Sequence, residues 1–225
     1  MKRILFILVS LGLGILAAQA AGIPHLLPWP QKVIWTGEEF HTDETKVSPG
    51  GNKSSIGMKL LADYGVATAP SSPLRLSINL VEDLPEIPLN RDEAYKLRVT
   101  ANKIEIEATT ETGIYRAIQT LRQLTEKKSN GIEITGCEIT DWPAFRIRGF
   151  MQDVGRTYIS MGELKREIAA LARYKINVFH WHLTENQAWR LQSKWFPMLN
   201  DSVNTTRMPG KFYTLEEARE LVDFC

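Results

Sequence analysis

Leu74-Arg75-Leu76-Ser77-Ile78-Asn79-Leu80 alternates apolar and polar residues with period two, the signature of a strand with one face buried. Ahead of it, Pro24, Pro28 and Pro30 hold the chain extended into a strand that starts at Val33-Ile34-Trp35, and Met58 to Tyr64 predicts a short amphipathic helix. Lys96–Val99 and Lys103–Glu107 predict two strands joined by a hairpin turn at Ala101-Asn102. The period then changes. Ile114, Ile118, Leu121 and Leu124 recur at helical spacing, with Thr112 available as the cap. Strands in succession followed by one amphipathic helix describe a small α+β layer over residues 22–140, a sheet with helices on one face.

Pro143, in Thr140-Asp141-Trp142-Pro143-Ala144, ends any regular element before it. The segment from 141 to 225 reads strand, helix, strand, loop, helix. Ile147–Asp153 is its first strand and Ile176–Leu183 its second. Between them Ser160-Met161-Gly162-Glu163 is a capping box, and Leu164, Ile168, Leu171 and Lys175 share one helical face. This crossover is long enough for a right-handed parallel βαβ unit. Thr214-Leu215-Glu216-Glu217 is a second capping box, continued by Leu215, Ala218, Leu221 and Val222. The second strand runs straight into Thr184-Glu185-Asn186-Gln187-Ala188-Trp189-Arg190, a cluster of hydrogen-bonding and stacking groups at the carboxyl end of a parallel strand, where α/β folds keep their chemistry.

Composition changes this picture little. The 225 residues are 44% hydrophobic and 24% charged, ordinary for a soluble globular protein. A formal net charge of +1 without a basic block argues against recruitment by nucleic acid or anionic membrane. The N-terminus says more. Lys2 and Arg3 precede an apolar run from Ile4 to Leu16, followed by Ala18-Gln19-Ala20, which reads as a secretory signal peptide over residues 1–21. That run is short for a span of about 20 residues, so no membrane span is expected after cleavage. Export to the periplasm or medium is the expectation. Cys137 and Cys225 do not make a disulfide framework, and Cys137 reads as a small buried residue.

The two segments carry longer motifs. Arg148-Gly149-Phe150-Met151-Gln152-Asp153-Val154-Gly155-Arg156 resembles the R-G-x-x-x-D-x-x-R opening of the family 20 glycoside hydrolases, the β-N-acetylhexosaminidases. Asn177–Thr184 is similar to their second barrel strand, and Gln187-x-Trp189-Arg190 fits too. Pro28-Trp29-Pro30-Gln31-Lys32-Val33 and Ala108-Thr109-Thr110-Glu111-Thr112-Gly113 resemble the α+β domain ahead of the barrel. The fold implied is an α+β N-terminal domain followed by the first two βα units of an incomplete (β/α)8 TIM barrel. About 80 residues follow Pro143, whereas a closed barrel takes about 250, so closure within this chain is not expected.

The resemblance implies removal of terminal β-linked N-acetylhexosamine from glycans with retention, the substrate's own acetamido oxygen acting as nucleophile and no cofactor being needed. The family's adjacent Asp-Glu pair is expected beyond Cys225, so no catalytic residue is assigned here and the chain alone is expected to be inactive. It implies two substrate-binding residues. Arg156 matches the family arginine that grips the sugar hydroxyls, a task suited to a guanidinium fork. Glu185 stands where the family commonly has Asp, in the hydrogen-bond network around the sugar. Asp153, His182 and Trp189 are candidate supporting residues, the Trp as a stacking surface. His180 and His182 share a strand face, a spacing that also suits two metal ligands in an amidohydrolase-like barrel. A non-catalytic glycan-binding module is the other reading.

Overall fold

A computed structural model describes residues 24–42, 46–51, 57–59, 62, 67–72, 75–129 and 131–225. The expected signal peptide lies outside the described residues. Residues 57–59 and 62 are helical, and the rest of the expected 58–64 helix lies outside them as well.

Among the described residues, eight strands form one mixed sheet: β1 (Lys32–Thr42), β2 (Lys46–Gly50), β3 (Ala67–Thr68), β4 (Arg75–Leu80), β5 (Tyr95–Val99), β6 (Lys103–Ala108), β7 (Thr125–Lys128) and β8 (Gly131–Asp141). Their order is β1-β8-β5-β6-β4-β2-β3, with β7 against β8. The expected β5–β6 hairpin forms, and every second residue of β6 is buried. Helix α1 (Glu111–Leu124) lies on the sheet and buries Ile114, Ala117, Ile118, Leu121 and Leu124 into a core with Phe40, Leu76, Ile78, Leu97, Ile106 and Ile139.

Two details of this core differ from the sequence reading. The cap of α1 is Thr110, whose hydroxyl accepts from the Gly113 amide at 3.1 Å; Thr112 already sits inside the first turn. Within that turn Gly113 presses against Ala94 and Ala108, where a Cβ would fall 2.7 Å from the Ala108 Cβ. The 11-residue β8, not anticipated, lies between β1 and β5 and carries Cys137 fully buried. Burial pushes that thiol up to about 12, which keeps it protonated.

The second core begins with β9 (Gly149–Asp153), crosses over α2 (Met161–Arg173) and returns in β10 (Val178–His182), parallel to β9. Ile147, expected in the first strand, stands 73% exposed ahead of it. Both capping boxes form: Ser160 Oγ accepts from the Glu163 amide while Glu163 accepts from the Ser160 amide. Thr214 and Glu217 do the same for α3 (Leu215–Phe224). Leu164, Tyr213, Leu221 and Val154 are buried together, with Phe179 and Trp181 of β10 packed on them.

Lys175 is not on the α2 face. The helix has ended, Lys175 takes a left-handed backbone (φ +63°), and its side chain turns back into the first core. There its ammonium donates to Asp141 Oδ2 at 2.8 Å and to Tyr95 OH at 2.9 Å. Beside it Glu93 accepts from Arg116 Nε at 2.7 Å, from Arg148 Nη2, and from Asn177 Nδ2 at 2.9 Å. Arg148 and Asn177 immediately precede β9 and β10, so two motif residues clamp the second core to the first. No helix among the described residues is long and apolar enough to cross a membrane.

Candidate functional site

Parallel register places the site. β9 and β10 pair Asp153 with His182, so the two side chains stand side by side on one face at the carboxyl ends of both strands. His180 and Met151 sit two residues earlier on that same face and are exposed. The opposite face, with Phe179 and Trp181, packs toward α2. The chain then turns sharply in a two-stranded ribbon, β11 (Thr184–Glu185) and β12 (Ala188–Trp189), with Glu185 opposite Ala188 and Thr184 opposite Trp189.

This ribbon brings Glu185 back over Gly155. A Cβ on residue 155 would lie 2.9 Å from the Glu185 Cβ and 3.0 Å from its amide nitrogen, so the approach requires glycine. Gly155→Ala is expected to cost about 1–3 kcal/mol, read as a fall in the urea midpoint; an unchanged midpoint would mean that the ribbon can lift away freely.

Arg156 meets this cluster from the loop after β9. Its Nε lies 3.1 Å from Asp153 Oδ2 and its Nη2 3.1 Å from Glu185 Oε1, while its backbone amide donates to Asp153 Oδ1. His182 Nε2 stands 3.3 Å from the same Glu185 oxygen. Asp153 and Glu185 are mostly buried, but Arg156 is 61% exposed. Two anchored carboxylates therefore hold a guanidinium whose remaining donors point outward. Such a group can take paired hydroxyl oxygens in fixed geometry. Trp189 lies 38% exposed on β12.

Asp153, His182 and Glu185 offer ligand atoms within 4.8 Å of one another. That trio leaves out His180, whose ring sits edge-on to His182 at 5.7 Å. The Arg156 guanidinium already bridges both of its carboxylates, so a divalent cation there would have to displace it. The side chains form a guanidinium cradle first.

Arg190, grouped in the sequence with the hydrogen-bonding residues at the strand end, is fully buried. Its guanidinium donates to five backbone carbonyls: Val154 at 3.0 Å, Gly155 at 3.2 Å, Arg207 at 2.7 Å, Met208 at 3.1 Å and Lys211 at 2.7 Å. No carboxylate pairs with it among the described residues. Burial lowers its pKa, with Tyr213 and Tyr158 opposing the shift. It fixes the backbone on which Arg156 stands and ties the long 191–213 loop to it.

The model of the glycosyl hydrolase family 20 catalytic domain matches residues 145–225, and that of domain 2 of the same family matches residues 24–142. A β-hexosaminidase of Porphyromonas gingivalis is 34% identical over 224 residues, covering 89% of this chain and 28% of that protein. A β-N-acetylhexosaminidase of Cellulomonas fimi is 35% identical over 159 residues, covering 69% of this chain and 31% of its own length. The chain thus spans less than a third of the length of these relatives. Among solved structures, a chitobiase of Flavobacterium johnsoniae superposes with TM-score 0.69 at 33% identity, over 88% of this chain and 32% of that one. An exo-β-N-acetylglucosaminidase of Vibrio harveyi, solved with N-acetylglucosamine, gives TM-score 0.73 at 30% identity, over 91% and 35%. Matched in both segments, and nearly throughout residues 24–225, the chain belongs to glycosyl hydrolase family 20.

Proposed function

We propose that the protein is a β-N-acetylhexosaminidase that removes terminal N-acetylhexosamine from the non-reducing ends of glycans, and that this chain supplies the grip on the sugar. In this reading β9, α2, β10 and α3 open a (β/α)8 barrel, residues 22–140 form the domain preceding it, and residues 1–21 direct export. The face carrying Asp153 and His182 is the barrel interior, and its carboxyl end is where such barrels bind substrate. The observation that carries the reading is the Arg156 guanidinium, pinned on one side by Asp153 and Glu185 and open on the other.

Arg156 donates to two neighbouring ring hydroxyls. Asp153 and Glu185 fix the fork, and His182 steadies Glu185. Trp189 offers an aromatic face at the rim. The family's substrate-assisted chemistry then asks of these residues only that the sugar ring be held while its acetamido group reacts.

Arg156→Lys keeps the charge but loses the fork. In the intact enzyme that carries the catalytic Asp-Glu pair, it is expected to lower kcat/KM for an aryl N-acetyl-β-glucosaminide about 10- to 100-fold, while the thermal midpoint barely moves because the side chain is exposed. A variant that hydrolyses this substrate as well as the parent would overturn the assignment.

A further inference from the structure

The seam between the two cores holds an uneven set of charges. Arg116, Arg148 and Lys175 face Glu93 and Asp141, three cations against two carboxylates, with each side chain at most 16% exposed. Both carboxylates already accept three hydrogen bonds each. Glu93 accepts from Arg116, Arg148 and Asn177, and Asp141 accepts from Lys175, Tyr95 and the Gln31 amide. Arg148 also donates to the carbonyls of Phe145 and Lys175. Arg116 differs. Its Nε binds Glu93, and its two terminal nitrogens carry no hydrogen bond to a described residue. These five side chains, with Trp29 and Trp142, line a cavity of about 160 Å³.

We propose that this seam cavity binds a small monovalent anion, chloride or a carboxylate of about acetate size, against the free edge of the Arg116 guanidinium. One negative charge neutralises the cluster, and a buried charge is stable only when paired. A guanidinium edge suits either ion, since it offers two parallel donors to a carboxylate and a concave pair to a halide. The volume leaves room for the ion and a few waters. Burial lowers the Lys175 pKa, Asp141 opposes the shift, and Arg116 and Arg148 add to it, so the three cations sense one another. The site is separate from the Arg156 cradle and independent of any sugar-binding role.

The test titrates the chain with sodium chloride at constant ionic strength, using the bulky sulfonate MES as the balancing anion. The thermal midpoint is expected to rise by about 2–5 °C and to saturate, as binding to the folded state alone requires. Arg116→Gln should keep one hydrogen bond to Glu93 but abolish the saturable rise. Chlorine-35 line broadening by the unaltered chain provides a second readout if that variant fails to fold. Loss of the broadening on adding acetate assigns the site to carboxylates as well as halides, and its persistence assigns it to halides. A midpoint indifferent to chloride, together with no excess broadening, overturns the proposal.

Discussion

Replacing Arg190 with methionine is expected to destabilise the chain by on the order of 4 kcal/mol, a large effect for a substitution away from the hydrophobic cores. Methionine matches the volume and carries no charge, so no unpaired cation is left behind. What remains is a set of up to five buried carbonyls without donors. Each costs about 1–3 kcal/mol if it stays dry, and local opening to water limits the total. Arg190→Lys should fall between, because an ammonium has three donors and cannot span carbonyls fixed for a planar fork. Urea unfolding monitored by tryptophan fluorescence reads both variants. A methionine variant within 1 kcal/mol of the parent would mean that water replaces the guanidinium without cost, and the positioning role would be lost.

Glu93→Ala is expected to cost about 3–5 kcal/mol, because it strands Arg116 and Arg148 in the seam without a carboxylate. Arg148→Ala should cost less, since Glu93 then keeps Arg116 and Asn177. The Glu93 effect also has a pH signature. Burial alone would raise its pKa, but the hydrogen bonds and charges of Arg148 and Arg116 outweigh burial and hold it below the ordinary glutamate value. A depressed folded-state pKa contributes stability that is fully present above the unfolded value of about 4.3 and is lost as pH falls through the folded one. The parent should therefore lose stability below about pH 4.3 more steeply than Glu93→Gln does. Parallel pH profiles for the two proteins would show that the seam does not depend on this charge.

Much of this was legible from periodicity and capping. The β5–β6 hairpin, the apolar stripe of α1 and both reciprocal boxes at Ser160 and Thr214 follow local rules that tertiary structure left intact. Asp153, Arg156, His182 and Glu185 were picked out through motif resemblance. Their meeting across 29 positions of sequence follows from parallel register, which a one-dimensional pattern does not display. Lys175 misled because spacing of four continues a helical stripe on paper, and a left-handed lysine at the helix end gives no glycine to mark the stop. Strand β8 went unseen because Gly131 and Gly136 weaken its local signal and its place depends on pairing with β1 and β5. Glu93 and Arg190 share a different reason. A charged side chain reads as surface until its partners are known, and theirs lie up to 84 positions away.

Arg190 holds the long loop by main-chain oxygens alone, so it is blind to which side chains residues 207, 208 and 211 carry. Substitutions along that stretch can accumulate without loosening the anchor, provided the path of the chain is kept. The surface of this loop can therefore diversify while the backbone beneath Arg156 stays fixed.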